Sequence, residues 1–172
     1  RDRSGDEHRA KATSDPLTIE NCGKTLTFAK APERALVTYQ NVAEIMVKLG
    51  LKDKIVGVTY GQAYDAPADM AAEVNGLNYL SPRGKGSAVK EVTLSTRPDF
   101  VFSAYPTYDF DASSGMATQE DYAAAGAPVY GISAECQKSV PNGTIESVYA
   151  DILNIGRIFN VEPRAHEVVQ EM

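Results

Sequence analysis

Only two histidines, His8 and His166, occur in the 172 residues, one near each end of the chain. A zinc or manganese centre built on imidazole is therefore excluded, because those metals need imidazole and carboxylate ligands. No Gly-x-Ser-x-Gly elbow is present, and no histidine lies in the central region to activate a nucleophile. An enzyme would be left with a carboxylate-only or substrate-assisted mechanism, so the chain reads as a non-enzyme with no catalytic residue and no cofactor. No apolar run approaches the roughly 18–20 residues that a bilayer crossing needs. Positive charge is also short, with 17 Lys and Arg against 23 Asp and Glu and a net charge of −6. That balance excludes the basic face of a nucleic-acid binder and the polybasic surface of a membrane-adsorbed protein.

Cysteine is sparse as well. Cys22 and Cys136 are the only two, so any intrachain disulfide must join them. Both lie in polar, turn-like contexts, whereas buried structural thiols prefer apolar surroundings. This favours a disulfide in an exported protein over two reduced thiols. The loop it closes spans more than a hundred residues, which the chain-entropy account values at ~4 kcal/mol. The chain opens on Arg1-Asp2-Arg3 without an initiator Met, as a processed protein does.

What is present is an alternation of strands and helices. Residues 1–15 carry no aromatic or large aliphatic side chain and read as a disordered tether. Leu17-Thr18-Ile19-Glu20 and Thr25-Leu26-Thr27-Phe28 alternate apolar and polar residues around Asn21-Cys22-Gly23-Lys24, the pattern of a β-hairpin. Ala35–Thr38, Lys54–Val58, Asp99–Ser103 and Pro128–Ile132 are expected strands, with a weaker one at Leu77–Leu80. The first helix is marked by Val42, Ile45, Met46 and Leu49 and stopped by Gly50. Others are expected over 68–74, 88–95 and 118–125, the last with a capping-box start at Thr118-Gln119-Glu120-Asp121. After Pro141 the pattern is purely helical, with Ile145, Val148, Tyr149, Ile152, Ile155 and Phe159 on one face. Pro163 fits the first position of a following helix. The fold class is α/β, a three-layer Rossmann-like lobe with a central parallel sheet of about five strands, an N-terminal hairpin and a long C-terminal helix. The pattern stops at Met172 without a cap, which reads as a fragment.

Four segments in order carry a family resemblance. Ala31-Pro32-Glu33-Arg34-Ala35-Leu36-Val37 resembles the "APERIV" strand of the iron-siderophore, haem and cobalamin class of extracytoplasmic solute-binding proteins of ABC importers. Glu44 with Leu49-Gly50-Leu51-Lys52-Asp53-Lys54-Ile55-Val56-Gly57-Val58 is similar to that family's "E…LGL.D.IVGV". Glu91-Val92-Thr93-Leu94-Ser95-Thr96-Arg97-Pro98-Asp99-Phe100-Val101 resembles its "E.I..LKPDLV", and Ala125-Gly126-Ala127-Pro128-Val129-Tyr130 its "AGIPVV". The resemblance covers about residues 30 to 172. It implies two α/β lobes joined by a rigid helix with the ligand between them. Residues 16–140 would then be the amino-terminal lobe and 141–172 the interlobe helix, with the second lobe absent from this chain. It implies capture of a ferric siderophore or similar chelate and delivery to an ABC permease. The protein would be a monomer, extracytoplasmic, bound to a membrane only through a lipid anchor upstream of these residues, and without a nucleic-acid partner. Glu91 stands where the family carries a glutamate that docks on permease arginines, while Glu44 reads as structural.

In an open parallel sheet, ligands sit beyond the carboxyl ends of the strands. The residues expected there include Tyr39, Gln40, Tyr60, Arg83, Lys85, Tyr105 and Tyr108. Aromatic faces with a few polar donors suit a bulky chelate of mixed polarity, and arginine suits an anionic oxygen. Ferric ion held directly by paired tyrosines is disfavoured, since Tyr105 and Tyr108 are separated by two residues. Asp109, Asp111, Ser113 and Glu120 have EF-hand-like spacing, but Ser114 replaces the required glycine, so a solvated loop is the favoured reading. Gly84-Lys85-Gly86-Ser87 has neither P-loop nor dinucleotide spacing. A complete flavodoxin-like enzyme or regulatory domain, and a surface adhesion or scaffold module, remain the alternatives.

Overall fold

A computed structural model describes residues 15–138 and 143–172. The tether expected over residues 1–15 lies, apart from Asp15, outside them. Hairpin strands β1 (Leu17–Asn21) and β2 (Lys24–Phe28) pair antiparallel, with Leu17 opposite Phe28 and Asn21 opposite Lys24. Their alternation buries Ile19, Leu26 and Phe28 and leaves the threonines outside. The hairpin is fastened to the main sheet at its turn. Asn21 donates its amide to the Gly131 carbonyl and accepts from the Gly131 N–H, each at 2.8 Å, and Cys22 is bonded to Cys136 as expected.

The central sheet is wholly parallel. It comprises β3 (Ala35–Val37), β4 (Ile55–Val58), β5 (Phe100–Ser103) and β6 (Val129–Gly131) in the order β4-β3-β5-β6. Every residue of β3 and β5 is buried, as a parallel sheet covered on both faces requires. Among the described residues the sheet has four strands where about five were expected. Residues 77–80 form only a bridge, in which Val58 donates to Asn78 and Leu80 donates to Val58. Gly76 before the segment and Pro82 after it leave too little extended chain to propagate a ladder.

Among the described residues, six α-helices accompany the sheet: α1 (Gln40–Lys48), α2 (Ala71–Asn75), α3 (Lys90–Ser95), α4 (Gln119–Ala124), α5 (Ile145–Ile158) and α6 (Glu162–Glu171). One core layer joins Val42 and Met46 of α1, Ile152, Ile155 and Ile158 of α5, and Phe100, Phe102 and Tyr130 of the sheet. The opposite layer is smaller and joins Leu36, Val101, Ala117, Tyr122 and Ala127. Helix α1 ends at Gly50, whose φ of 75° lets Leu51 N–H return to the Met46 carbonyl. The capping box of α4 is made by Thr118 and Asp121, so Glu120 takes no part in it. Pro163 occupies the second position of α6, one later than expected. The helical tail is therefore two helices, broken at Asn160 (φ 59°), and Gly156 lets α5 approach Ala165 of α6 closely.

Two of the motif segments explain one another. The Arg34 guanidinium donates to the carbonyls of Thr96 and Arg97 at the end of α3, while Asp99 accepts from the Glu33 and Arg34 N–H groups. This reciprocal clamp aligns the starts of β3 and β5, and so fixes where their carboxyl ends open.

Candidate ligand-binding site

Two residues past the carboxyl ends of β3, β4 and β5 stand Tyr39, Tyr60 and Tyr105. Tyr39 leads from β3 into α1 with an extended backbone (φ −155°, ψ 159°). Its ring centre lies 5.0 Å from that of Tyr60 after β4 and 5.4 Å from that of Tyr105 after β5, the latter edge to face. These tilted geometries are favoured by the ring quadrupoles. All three rings are half-buried, so the trio forms one aromatic surface.

The backbone beneath is tightly held. Thr38 is buried, its hydroxyl accepts from the Ala104 N–H at 2.9 Å, and its carbonyl accepts from the Thr59 hydroxyl at 3.2 Å. Asp109 accepts from the Ser103 hydroxyl at 2.6 Å and from the Tyr105 N–H at 3.0 Å, which tethers the Tyr105 loop to the strand that carries it. Burial pushes the Asp109 carboxyl above its usual range, and the hydrogen bonds from Ser103, Thr38 and Tyr105 oppose that rise. Gly61 is needed because the Pro82 carbonyl crosses its Cα, only 2.3 Å from where a Cβ would sit. Gly61 N–H donates to the Gly86 carbonyl, so the 82–86 loop folds back beside Tyr60.

The remaining expected residues differ in their placement. Gln40 does not face the mouth. It is fully buried, its carbonyl accepts from the Ala63 and Tyr64 N–H groups at 3.0 and 3.1 Å, and its amide donates to Glu44. Its place in the fold is that of a clasp under the loop that follows Tyr60. Arg83 lies on an exposed loop, 3.2 Å from Asp65, and Lys85 is exposed on the same loop. Tyr108 is exposed outside the trio, with the Lys138 ammonium 4.7 Å from its ring centre. The carboxylates of the EF-hand-like spacing do not converge. Asp109 turns inward, and Asp111 accepts from Ser113 and Ser114 of its own turn.

Tyr64, which the sequence reading passed over, belongs to this face. Burial raises its phenol well above the ordinary value, and the nearby Glu44 carboxylate and Tyr39 and Tyr105 add to the shift. Burial, with Tyr39, Glu135 and Asp109, likewise raises Tyr105. Both phenols are protonated at neutral pH and can donate hydrogen bonds. Tyr64 sits six residues beyond the end of β4, and the only sequence signal was one more tyrosine in a loop already carrying Tyr60.

Two further features flank the site. Asp151 of α5 is buried and accepts from the Tyr130 hydroxyl, the Ser133 hydroxyl and the Ser133 N–H, locking the long helix to the end of β6. On the other core layer, Glu91 is exposed in the first turn of α3 between exposed Val89 and Val92, beside a groove of about 380 Å³. Lys90 next to it is engaged with Asp121 at 3.1 Å.

Comparison with known proteins matches this architecture. The uncharacterized ABC transporter substrate-binding lipoprotein YvrC of Bacillus subtilis (strain 168) is 24% identical over 172 residues, spanning 99% of this chain and 48% of that protein. The crystal structure of an ABC-type Fe3+-hydroxamate transport system from Saccharomonospora viridis DSM 43017 is 26% identical, with a TM-score of 0.65, covering 91% of this chain and 52% of that one. A periplasmic binding protein from Veillonella parvula DSM 2008 shares the fold, with a TM-score of 0.72 at 23% identity, covering 92% of this chain and 51% of that one. The chain spans about half the length of these relatives. Residues 36–172 match the family model described as periplasmic binding protein, and the chain belongs to that family.

Proposed function

We propose that the protein captures a ferric siderophore or related iron chelate outside the membrane and hands it to an ABC permease, binding its cargo without transforming it. The observation that carries this reading is the surface of Tyr39, Tyr60 and Tyr105 at the carboxyl ends of three parallel strands. Such a surface offers ring faces and neutral phenol donors to a bulky chelate of mixed polarity, and the relative named for Fe3+-hydroxamate transport supports the same class.

In this reading residues 16–140 are the amino-terminal lobe and 141–172 the backbone that leads to a second lobe, so the tyrosines supply one half of a clasp. Glu91, exposed with an apolar rim, is the point at which the lobe meets a permease. The Cys22–Cys136 disulfide supports an extracytoplasmic site of action, because such bonds persist in oxidising compartments. Titration of the natural full-length protein with ferric hydroxamate, ferric catecholate, haem and cobalamin tests the reading. Saturable quenching of tyrosine emission by an iron chelate is expected. Silence of the whole panel at saturating concentrations would refute it.

A further inference from the structure

The loop that carries Tyr105 is backed by the segments that carry the disulfide. Residues 105–109 close on themselves, with the Tyr108 and Asp109 N–H groups donating to the Tyr105 carbonyl, each at 2.9 Å. Pro106, next to Tyr105, rests on Gly131 at the end of β6. A Cβ on Gly131 would stand 2.8 and 2.9 Å from the Pro106 ring and 3.2 Å from the Cys22 sulfur, so proline and disulfide meet over one glycine. A second contact comes from beyond the bond. Lys138, two residues after Cys136, sits 4.7 Å from the ring centre of Tyr108. The turn between these contacts, over 133–135, is fixed at one end by Asp151, which accepts from Ser133, and at the other by the bond from Cys136 to Cys22.

Opening the bond frees Cys136, the Lys138 behind it and the hairpin turn that carries Cys22. The Asn21 bonds to Gly131 and the Ser133 bonds to Asp151 remain, so the lobe keeps its fold while the backing of the Tyr105 loop slackens. Cys22 is exposed, which gives a reductant access to the bond. A dithiol supplies two electrons and two protons: the S–S bond breaks, two thiols form, and the dithiol closes to its own disulfide. A ring that must be ordered on binding captures cargo less tightly than one already in place. Resting on the receptor reading above, we propose that the Cys22–Cys136 bond positions Tyr105 in the aromatic face, so that its reduction by a dithiol weakens cargo capture in a protein that stays folded.

The test uses the natural full-length protein, oxidised and dithiol-reduced, with a gallium(III) tris-hydroxamate, whose metal a dithiol does not reduce. Calorimetric titration is expected to show binding about tenfold weaker after reduction, with circular dichroism retained and affinity restored on reoxidation. Pro106→Ala removes the ring that rests on Gly131. In that variant oxidised binding is expected to fall about fivefold and reduction to add less than about twofold, because changes to contacting groups are not additive. Without cargo, amide exchange at Tyr105, Tyr108 and Asp109 is expected to quicken about tenfold on reduction, while Ala63 and Tyr64, held by Gln40, keep their protection. Equal affinity in the two redox forms overturns the proposal and leaves the receptor reading standing. Full additivity of Pro106→Ala with reduction, equal quickening in both loops, or loss of circular dichroism on reduction overturns it too. If the oxidised parent takes up no chelate at all, the receptor reading falls, and the exchange pattern alone decides whether the bond holds the loop.

Discussion

Gln40 follows directly on a strand-end tyrosine and is expected in the ligand mouth, yet its side chain points into the protein and is fully used there. One-dimensional position gives the end of a strand but not the side of the turn on which a polar side chain falls. Three hydrogen bonds inside a closed environment make Gln40→Ala expensive, because two loop N–H groups would be left without partners. The expected loss is about 2–4 kcal/mol in denaturant unfolding, with the loop after Tyr60 losing amide-exchange protection first. Titration also separates the carboxyls. Burial raises Asp109 and Asp151 above 3.8, whereas the turn bonds of Asp111 from Ser113 and Ser114, and those of Asp121 from Thr118 and Lys90, lower theirs. A raised acid holds its proton more tightly in the folded state. Asp109 and Asp151 therefore add stability as pH falls through their raised values toward 3.8, and subtract it at neutral pH. Asp111 and Asp121 contribute above 3.8 and lose their contribution as pH falls through their lowered values. Carboxyl carbon NMR titration is expected to place the first two above 3.8 and the last two below.

Helices α1 and α5 were legible because their apolar stripes are long enough for the period to emerge, and Val42, Met46, Leu49, Ile152 and Ile155 are all buried. The fifth strand was overcalled for the opposite reason. Four residues of which three are leucine or tyrosine (Leu77, Tyr79 and Leu80) resemble a strand locally, but pairing depends on a neighbour that the sequence does not show, and only one bridge forms. The clamp between Arg34 and the 96–99 turn was likewise invisible as chemistry, although both segments were conspicuous as motifs. The disulfide was legible from polar context and an even count. It joins residues 114 apart and ties the hairpin to the turn that precedes α5. Replacing both Cys22 and Cys136 with Ala is expected to cost about 4–5 kcal/mol in unfolding free energy on chain-entropy grounds. Calorimetry of the double variant against the parent checks this. A loss under about 1 kcal/mol would mean that the Asn21–Gly131 bonds alone hold the hairpin in place.

Across the whole molecule, parallel strands aim three tyrosines at one spot, and the clamps at the far end of the sheet and along α5 keep them there. The fold class could be read from strand–helix alternation, and the candidate site is put at the carboxyl ends of the parallel strands because ligands collect there. Tyr39, Tyr60 and Tyr105 were among the residues expected at those ends, but their ring-to-ring contact follows from strand order, which the chain does not spell out. The most direct test is affinity for a ferric hydroxamate, measured on the natural full-length protein and on its Tyr39→Ala variant. Tyr39 is the ring that both Tyr60 and Tyr105 contact, and it is half-buried at a helix start. The account predicts saturable binding by the parent and a loss of about tenfold or more in the variant, with its circular dichroism retained. Equal affinity in parent and variant would contradict it.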